Sequence, residues 1–106
     1  MPKYLLTGSY TLEGTNGLIK EGGSKRREVA KKLVESAGGT LEAFYFTFGD
    51  DDIIVIADLP DAASAAAASL TASAGGGITL STTVLITPEE MDEAVKKHPS
   101  YRAPGA

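Results

Sequence analysis

Three consecutive aspartates, Asp50 to Asp52, are the first residues in this sequence whose type and spacing could do chemistry. Carboxylate oxygens are preferred ligands of Ca²⁺ and Mg²⁺, so a hard-cation site is one interpretation. Consecutive residues of a hairpin point in different directions, however, and the spacing of an EF-hand loop does not follow. The alternative is a solvated turn, in which Gly49 and the aspartates supply the required backbone angles. We favour the turn, and we predict neither a metal nor a cofactor.

A second candidate is the basic run Lys25-Arg26-Arg27, which follows Gly22-Gly23-Ser24. Cations are unfavourable at a helix N-terminus, and a bound anion would relieve that conflict. The glycine spacing of residues 17–24 resembles a phosphate-binding loop, but Gly23 stands where the lysine is needed, so we expect no nucleotide hydrolysis. Two interpretations remain: a solvated, salt-bridged helix end, or an anion site formed by Ser24, Lys25, Arg26 and Arg27.

Tyrosine and histidine side chains supply the remaining candidates. Tyr10 and Tyr45 lie on predicted strands, where they could position a small aromatic or carbonyl ligand in an apolar cleft. The alternative, which we favour, is that both are amphipathic core residues whose hydroxyl groups reach the rim. His98 is the only histidine and the chain has no cysteine, so we expect neither a serine–histidine nor a thiol triad.

The composition fits one globular domain, residues 1–98, with a flexible tail at 99–106. The chain is 42% hydrophobic and 23% charged, with a net charge of -4. An acidic total argues against nucleic-acid binding, although basic residues are concentrated in the first 39 positions. No apolar run is long enough to cross a bilayer, and the start does not read as a signal peptide. We therefore expect a cytoplasmic protein that does not bind membranes.

Hydrophobic periodicity predicts the elements that must position these residues. The predicted order is a strand at 3–11, a glycine-rich loop at 13–24, a helix at 24–37 capped by Ser24, strands at 40–48 and 52–58, an alanine-rich helix from 60 to 74, a strand at 78–86 and a helix at 87–98. Alternation places Phe44, Phe46 and Phe48 on one face of the second strand and Leu41, Ala43 and Tyr45 on the other. Thr87 and Glu90 are predicted to form a capping box at the start of the last helix. This order predicts an α+β, ferredoxin-like βαββαβ fold with a four-stranded antiparallel sheet and a C-terminal helix. An RNA-recognition module shares the strand order, but Ile53 to Ile56 offers none of the exposed aromatic and basic residues that such a module needs.

The predicted sheet has apolar side chains on both faces, whereas the two crossover helices cover only one. An apolar patch would remain on the open face, formed by Leu5 or Tyr4, by Tyr45 and by alternate residues of Ile53 to Ile56. We predict that a second copy covers it, sheet on sheet, with the last helix or the tail over an edge of the interface. The alternative is that the last helix folds across the open face of its own chain.

Several stretches of residues 3–97 resemble the GYD-domain family of small, mostly bacterial proteins. They are the first strand ending in "YT", the glycine-bearing loop, and "SKRREVAKKLVESAGGTLEAFYFTFGDDDIIVIADLPD". That family is typified by a Gly-x-Tyr-Asp turn, followed by an apolar strand and Pro-Asp. Gly49 and Asp52 stand where the Gly and Asp of that turn would, and Asp51 replaces the tyrosine, which argues against an aromatic-gated site there. The resemblance implies a ferredoxin-like, dimeric α+β barrel fold and no particular activity.

Two functional hypotheses follow from these features. The first is a non-catalytic homodimeric module that binds a small anionic or aromatic ligand, or a partner protein. The second is a cofactor-independent enzyme, monooxygenase- or isomerase-like, that acts on a small hydrophobic substrate between sheet and helices; it rests on fold analogy. The lack of a strong acid–base constellation favours the first hypothesis.

Overall fold

The computed structural model describes residues 1–47 and 49–106. Its elements, in chain order, are β1 (Lys3–Tyr10), α1 (Leu12–Glu21), α2 (Gly23–Ser36), β2 (Thr40–Phe46), β3 (Ile53–Asp58), α3 (Ala62–Ala74), β4 (Ile78–Leu85) and α4 (Pro88–Val95). The strands form one antiparallel sheet in the order β2-β3-β1-β4. The prediction of an α+β fold with a four-stranded antiparallel sheet is therefore confirmed. The predicted position of Phe48, on one face with Phe44 and Phe46, lies outside the described residues.

The two central strands separate the core from the open face through their two-residue periodicity. Ile53, Val55 and Ala57 of β3 are buried, whereas the intervening Ile54 and Ile56 are only half-buried. Both faces of β3 are apolar, as predicted, and the single chain buries only the helix-covered one. Only one face of the sheet is covered by helices.

Strand β2 departs from simple alternation because of a β-bulge. The register with β3 shifts between Leu41 and Ala43, and one extra residue reverses the side-chain direction that follows. Leu41 therefore packs against the core together with Phe44 and Phe46, although the sequence placed it on the opposite face with Tyr45. The rings of Phe44 and Phe46 meet edge to face, with centroids 5.2 Å apart.

Helix α1 occupies most of the segment predicted as a loop, so that prediction is wrong. Thr11 caps the helix, since its hydroxyl accepts a hydrogen bond from the Gly14 N–H at 3.1 Å. Gly14 lies so close to β4 that an added Cβ would come within 1.8 Å of the Gly77 carbonyl oxygen. The glycines lower the local helix propensity, but one of them permits the contact that holds the helix on the sheet.

Helices α2 and α3 pack on the same side of the sheet, α2 over β2 and α3 over β4. Helix α2 begins at Gly23, and its N-cap is Gly22, at φ 87°. The prediction that Ser24 caps this helix is therefore wrong. Alanine side chains let α3 lie close to the sheet, and Ala65 and Ala68 are buried against it. Asp61 caps α3 by accepting a hydrogen bond from the Ser64 N–H, and that bond lowers the pKa of Asp61.

The last helix stands apart from this core. Thr87 and Glu90 form the predicted capping box, but α4 ends at Val95, before the predicted His98. Every residue from 86 to 106 is exposed, so α4 does not fold across the open face of its own chain. The molecule is correspondingly elongated, with extents of 56 × 32 × 22 Å. No helix in the described part of the chain is long and apolar enough to span a membrane.

Candidate functional site

Tyr10 lies where three neighbouring cavities meet. As the last residue of β1 it follows Tyr4, Leu6 and Gly8 on the helix-covered face, and its side chain is half-buried. The cavities measure about 420, 280 and 300 Å³, and Tyr10 lines each of them. The tyrosine therefore occupies the junction between β1, α1 and α2.

Asp52 holds this junction together from the turn before β3. Its carboxylate accepts a hydrogen bond from the Tyr10 N–H at 2.8 Å, and its own N–H donates to the Gly8 carbonyl at 2.7 Å. The Asp52 carbonyl in turn accepts from the Thr47 N–H at 2.8 Å. One residue thus closes the hairpin and fixes the end of β1.

The other aspartates of the acidic run contribute less to this junction. The Asp51 carbonyl accepts a hydrogen bond from the Thr47 hydroxyl, whereas Asp50 and Gly49 are exposed. Within residues 1–47 and 49–106, no three His, Cys, Asp or Glu residues are grouped closely enough to hold a metal ion. The aspartates form a turn, which is the interpretation that the sequence favoured.

Arg26 is the member of the basic run that faces the cavities. It lies on the same side of α2 as Val29, Ala30 and Leu33, at helical spacing, and its side chain is 33% exposed. The guanidinium pairs with the Glu21 carboxylate at 3.6 Å. Because both partners are partly exposed, this ion pair is weak and can be exchanged for a ligand.

The environment of Tyr10 keeps its hydroxyl protonated. Burial raises the pKa of Tyr10 above its ordinary value of 10.0; the Arg26 guanidinium partly counteracts the shift, and the Asp52 carboxylate adds to it. A neutral phenol beside a guanidinium offers two hydrogen-bond donors in one place. The pair can therefore bind a carboxylate or another small anion.

An apolar cleft of about 300 Å³ leads inward from these two donors, between the sheet and helices α2 and α3. Its wall is mostly hydrocarbon, contributed by Leu6, Val29, Leu33, Val34, Phe44, Ile53, Val55 and Leu80. An apolar cleft with a few convergent polar groups at one end is the usual form of a small-molecule site.

The remaining sequence-predicted site residues lie elsewhere. Ser24, Lys25 and Arg27 are exposed on the outer side of α2. Tyr45 projects from the open face, 68% exposed, so the structure does not bring it together with Tyr10. Instead, Tyr45 and Arg27 line a separate groove of about 500 Å³ between α2 and β2.

Sequence reasoning missed the residues that α1 adds to the site. Thr15 and Leu18 line the cavity beside Asp52, and Glu21 pairs with Arg26. A usable signal was present: Thr11 is a strong N-cap residue directly before the apolar Leu12. The glycine content of the segment outweighed it. His98 is exposed and lines none of these cavities.

Comparison with known proteins gives a family match. A family model described as the GYD domain matches residues 4–95 of the 106-residue chain. A search of curated proteins found no match, and neither did a search of solved structures. The matched segment runs from β1 to the end of α4 and includes Tyr10, Arg26 and Asp52. The chain therefore belongs to the GYD-domain family.

Proposed function

We propose that this protein is a non-catalytic homodimeric module that binds a small carboxylate with an apolar body. The carboxylate is held by Arg26 and Tyr10, and the apolar body lies in the cleft beneath α2 and α3. The observation that carries the proposal is the convergence of a guanidinium and a protonated phenol at the end of a hydrocarbon-lined cleft. A cleft of about 300 Å³ is at the small end of ligand sites, which favours a ligand the size of a benzoate or a short fatty acid.

The same residues argue for binding over catalysis. A general base works best when its pKa lies near the operating pH, whereas burial raises the pKa of Tyr10 above 10.0. The Asp52 carboxylate is already engaged by the Tyr10 N–H at 2.8 Å. The Glu21 carboxylate is paired with Arg26, and neither it nor Asp52 lines the cleft itself. The cleft thus offers donors and apolar surface without a carboxylate of its own, which is why we place the enzyme hypothesis second.

The open face of the sheet supports the dimer. Cross-strand pairs place Leu5 beside Ile56 and Tyr45 beside Ile54 on that face. At one end of the open face, the Lys3 ammonium group contacts the carboxylates of Asp58 and Glu42, each at 3.0 Å. The hydrogen bond to Asp58 is the larger cause of the raised pKa of Lys3, and the hydrogen bond to Glu42 is the next. An apolar centre with a charged edge is typical of a protein interface. Two such faces would pack about 10 Å apart.

The ligand is tested by replacing Arg26 with glutamine and measuring thermal stabilisation by benzoate, phenylacetate and hexanoate. Ligands that bind the native state raise its melting temperature by mass action. Loss of a charge-assisted hydrogen bond costs about 1.5–3 kcal/mol, so we expect affinity to fall about 10- to 100-fold. Arg27→Gln, at an exposed position on the same helix, should leave the stabilisation unchanged.

Each acid is measured beside its neutral amide, which has the same apolar body without the charge. Stronger stabilisation by the acid, lost only in Arg26→Gln, supports the site. Equal stabilisation by acid and amide, or an equal loss in both arginine variants, would contradict it. Lack of stabilisation by all three acids would also count against a carboxylate ligand of this size.

The dimer is tested by Ile56→Lys, which places a charge at the centre of the open face. We expect the native chain to have the mass of a dimer by light scattering and the variant that of a monomer, because an unpaired charge is costly in an apolar interface. Ala66→Lys, on the exposed side of α3, is the matched control and should remain dimeric. Circular dichroism establishes that both variants are folded. A native chain with the mass of a monomer would overturn the dimer.

A further inference from the structure

The C-terminal arm, residues 86–106, buries none of its side chains in the single chain. Its exposed apolar residues include Ile86 at 52%, Met91 at 47% and Val95 at 64%. An eight-residue helix is marginal in water by itself, and most helices are stabilised by packing an apolar face. The arm therefore lacks the surface that a helix of this kind normally requires.

The two sides of α4 differ in chemistry. Met91, Ala94 and Val95 follow helical spacing and share one face. The other side is acidic and carries Glu89, Asp92 and Glu93, the last of which pairs with Lys96 at 3.4 Å. A surface that fits the arm must offer an apolar floor beside basic side chains.

The groove between α2 and β2 offers both kinds of group, on a lining that is more polar than apolar. Leu41, Ala43 and Tyr45 supply its apolar part, and Arg27 and Lys31 supply cations at its rim. Its carboxylates are Glu28 and Glu42, and Glu42 already contacts Lys3 at 3.0 Å. The groove adjoins the open face at Tyr45, so it continues the surface proposed for dimerisation.

Sheet topology decides which copy of the groove the arm can reach. The order β2-β3-β1-β4 puts the groove at the β2 edge, whereas the arm leaves from the β4 edge. Within one chain the two lie on opposite edges. When two open faces stack about a two-fold axis parallel to the strands, the β4 edge of one copy meets the β2 edge of the other. The arm then begins beside its partner's groove.

The size of the open face also favours an arm that crosses to the second copy. Strands spaced about 4.8 Å apart and about seven residues long give the open face a projected area of roughly 440 Å². Stable interfaces bury about 800 Å² of accessible surface on each partner, so a face of this projected size lies at the small end of the range. An arm that crosses to the partner would extend the contact beyond the sheet on both sides of the two-fold axis.

We propose that the C-terminal arm of each copy docks in the α2–β2 groove of a second copy, with Met91 and Val95 on the apolar floor and the acidic side towards Arg27 and Lys31. The proposal rests on the dimer of the proposed function. It adds a specific occupant for the groove and a role for the arm.

The test uses the absence of native cysteine, so that introduced thiols are the only ones present. The Met91→Cys and Lys31→Cys variants are mixed, and one of them carries a tag that distinguishes the two chains by size. After the subunits have exchanged, the sample is treated with a short bismaleimide cross-linker. We expect a covalent heterodimer at several-fold higher yield than from Met91→Cys mixed with Ala66→Cys, whose thiol lies on the exposed side of α3.

Each other outcome overturns the arm proposal in a distinguishable way. A dimer by light scattering with no excess of Met91–Lys31 cross-link means that the faces associate and the arm lies elsewhere. A cross-link between two Met91→Cys chains means that the arms of the two copies pair with each other. An intrachain cross-link in the Met91→Cys/Lys31→Cys double variant, diluted with native chain, means that the arm folds back. A native monomer overturns the arm and the dimer together.

Discussion

Truncation of Leu59 to alanine is expected to lower the free energy of unfolding by about 2–5 kcal/mol. Leu59 is 0% exposed and is the largest fully buried side chain in the described part of the molecule. Its N–H also donates to the Pro2 carbonyl at 3.1 Å, which fixes the backbone where β3 ends. Removing its side chain loses transfer free energy and enlarges the apolar cleft that Leu59 lines, because the surrounding strands cannot collapse fully.

Leu70→Ala is the matched control for this truncation. Leu70 lies on α3 and is 71% exposed, so its replacement should change stability by no more than about 0.5 kcal/mol. Urea denaturation followed by circular dichroism measures both variants, at one protein concentration because association shifts apparent stability. Equal effects of the two truncations would mean that Leu59 is not at the centre of the core.

Alanine substitutions at Gly14 and Gly17 are expected to have opposite effects. At Gly14 the new Cβ would come within 1.8 Å of the Gly77 carbonyl oxygen, a backbone atom that cannot turn aside. Helix α1 must then move away from β4, at a cost of about 1–3 kcal/mol. At Gly17 the Cβ would enter open space, and alanine should stabilise the helix by about 0.5–1 kcal/mol.

The same pair of variants reports on the ligand site. Gly14 and Gly17 both line the cavity shared by Tyr10 and Arg26, but only the first substitution shifts the helix that forms its wall. We expect Gly14→Ala to weaken carboxylate binding and Gly17→Ala to preserve it, as measured by the thermal shift with benzoate. Stabilisation by both substitutions would show that the contact between α1 and β4 is looser than the structure has it.

The sequence was sufficient for the parts of the fold that depend on local patterns. The alternation along β1, the continuous apolar run of β3 and the capping box at Thr87 each involve residues within a few positions of each other. Helix α1 escaped prediction because its glycines lower helix propensity, while the bonds that anchor its N-cap, from Thr11 to Gly76 and Gly77, span more than sixty residues. The bulge in β2 escaped as well, since a single extra residue leaves the alternation almost intact on either side of it.

Individual residues of the candidate site were singled out from the sequence, but their positions relative to one another were not predicted. Tyr10 and Arg26 were both singled out, yet their proximity depends on how β1, α1 and α2 pack. The role of Asp52 is a hydrogen bond that spans 42 positions along the chain. Spacing could indicate a turn at the aspartates, but it could not indicate what the turn holds in place.

Helix α2 separates two adjacent arginines onto different surfaces: Arg26 lines the cleft and Arg27 lines the outer groove. A rigid helix cannot shift at one of these residues without shifting at the other. In the proposed dimer, a ligand that moves α2 would change the equilibrium constant for association, and association would change ligand affinity by the same factor. The two neighbouring side chains would thereby make ligand affinity depend on protein concentration.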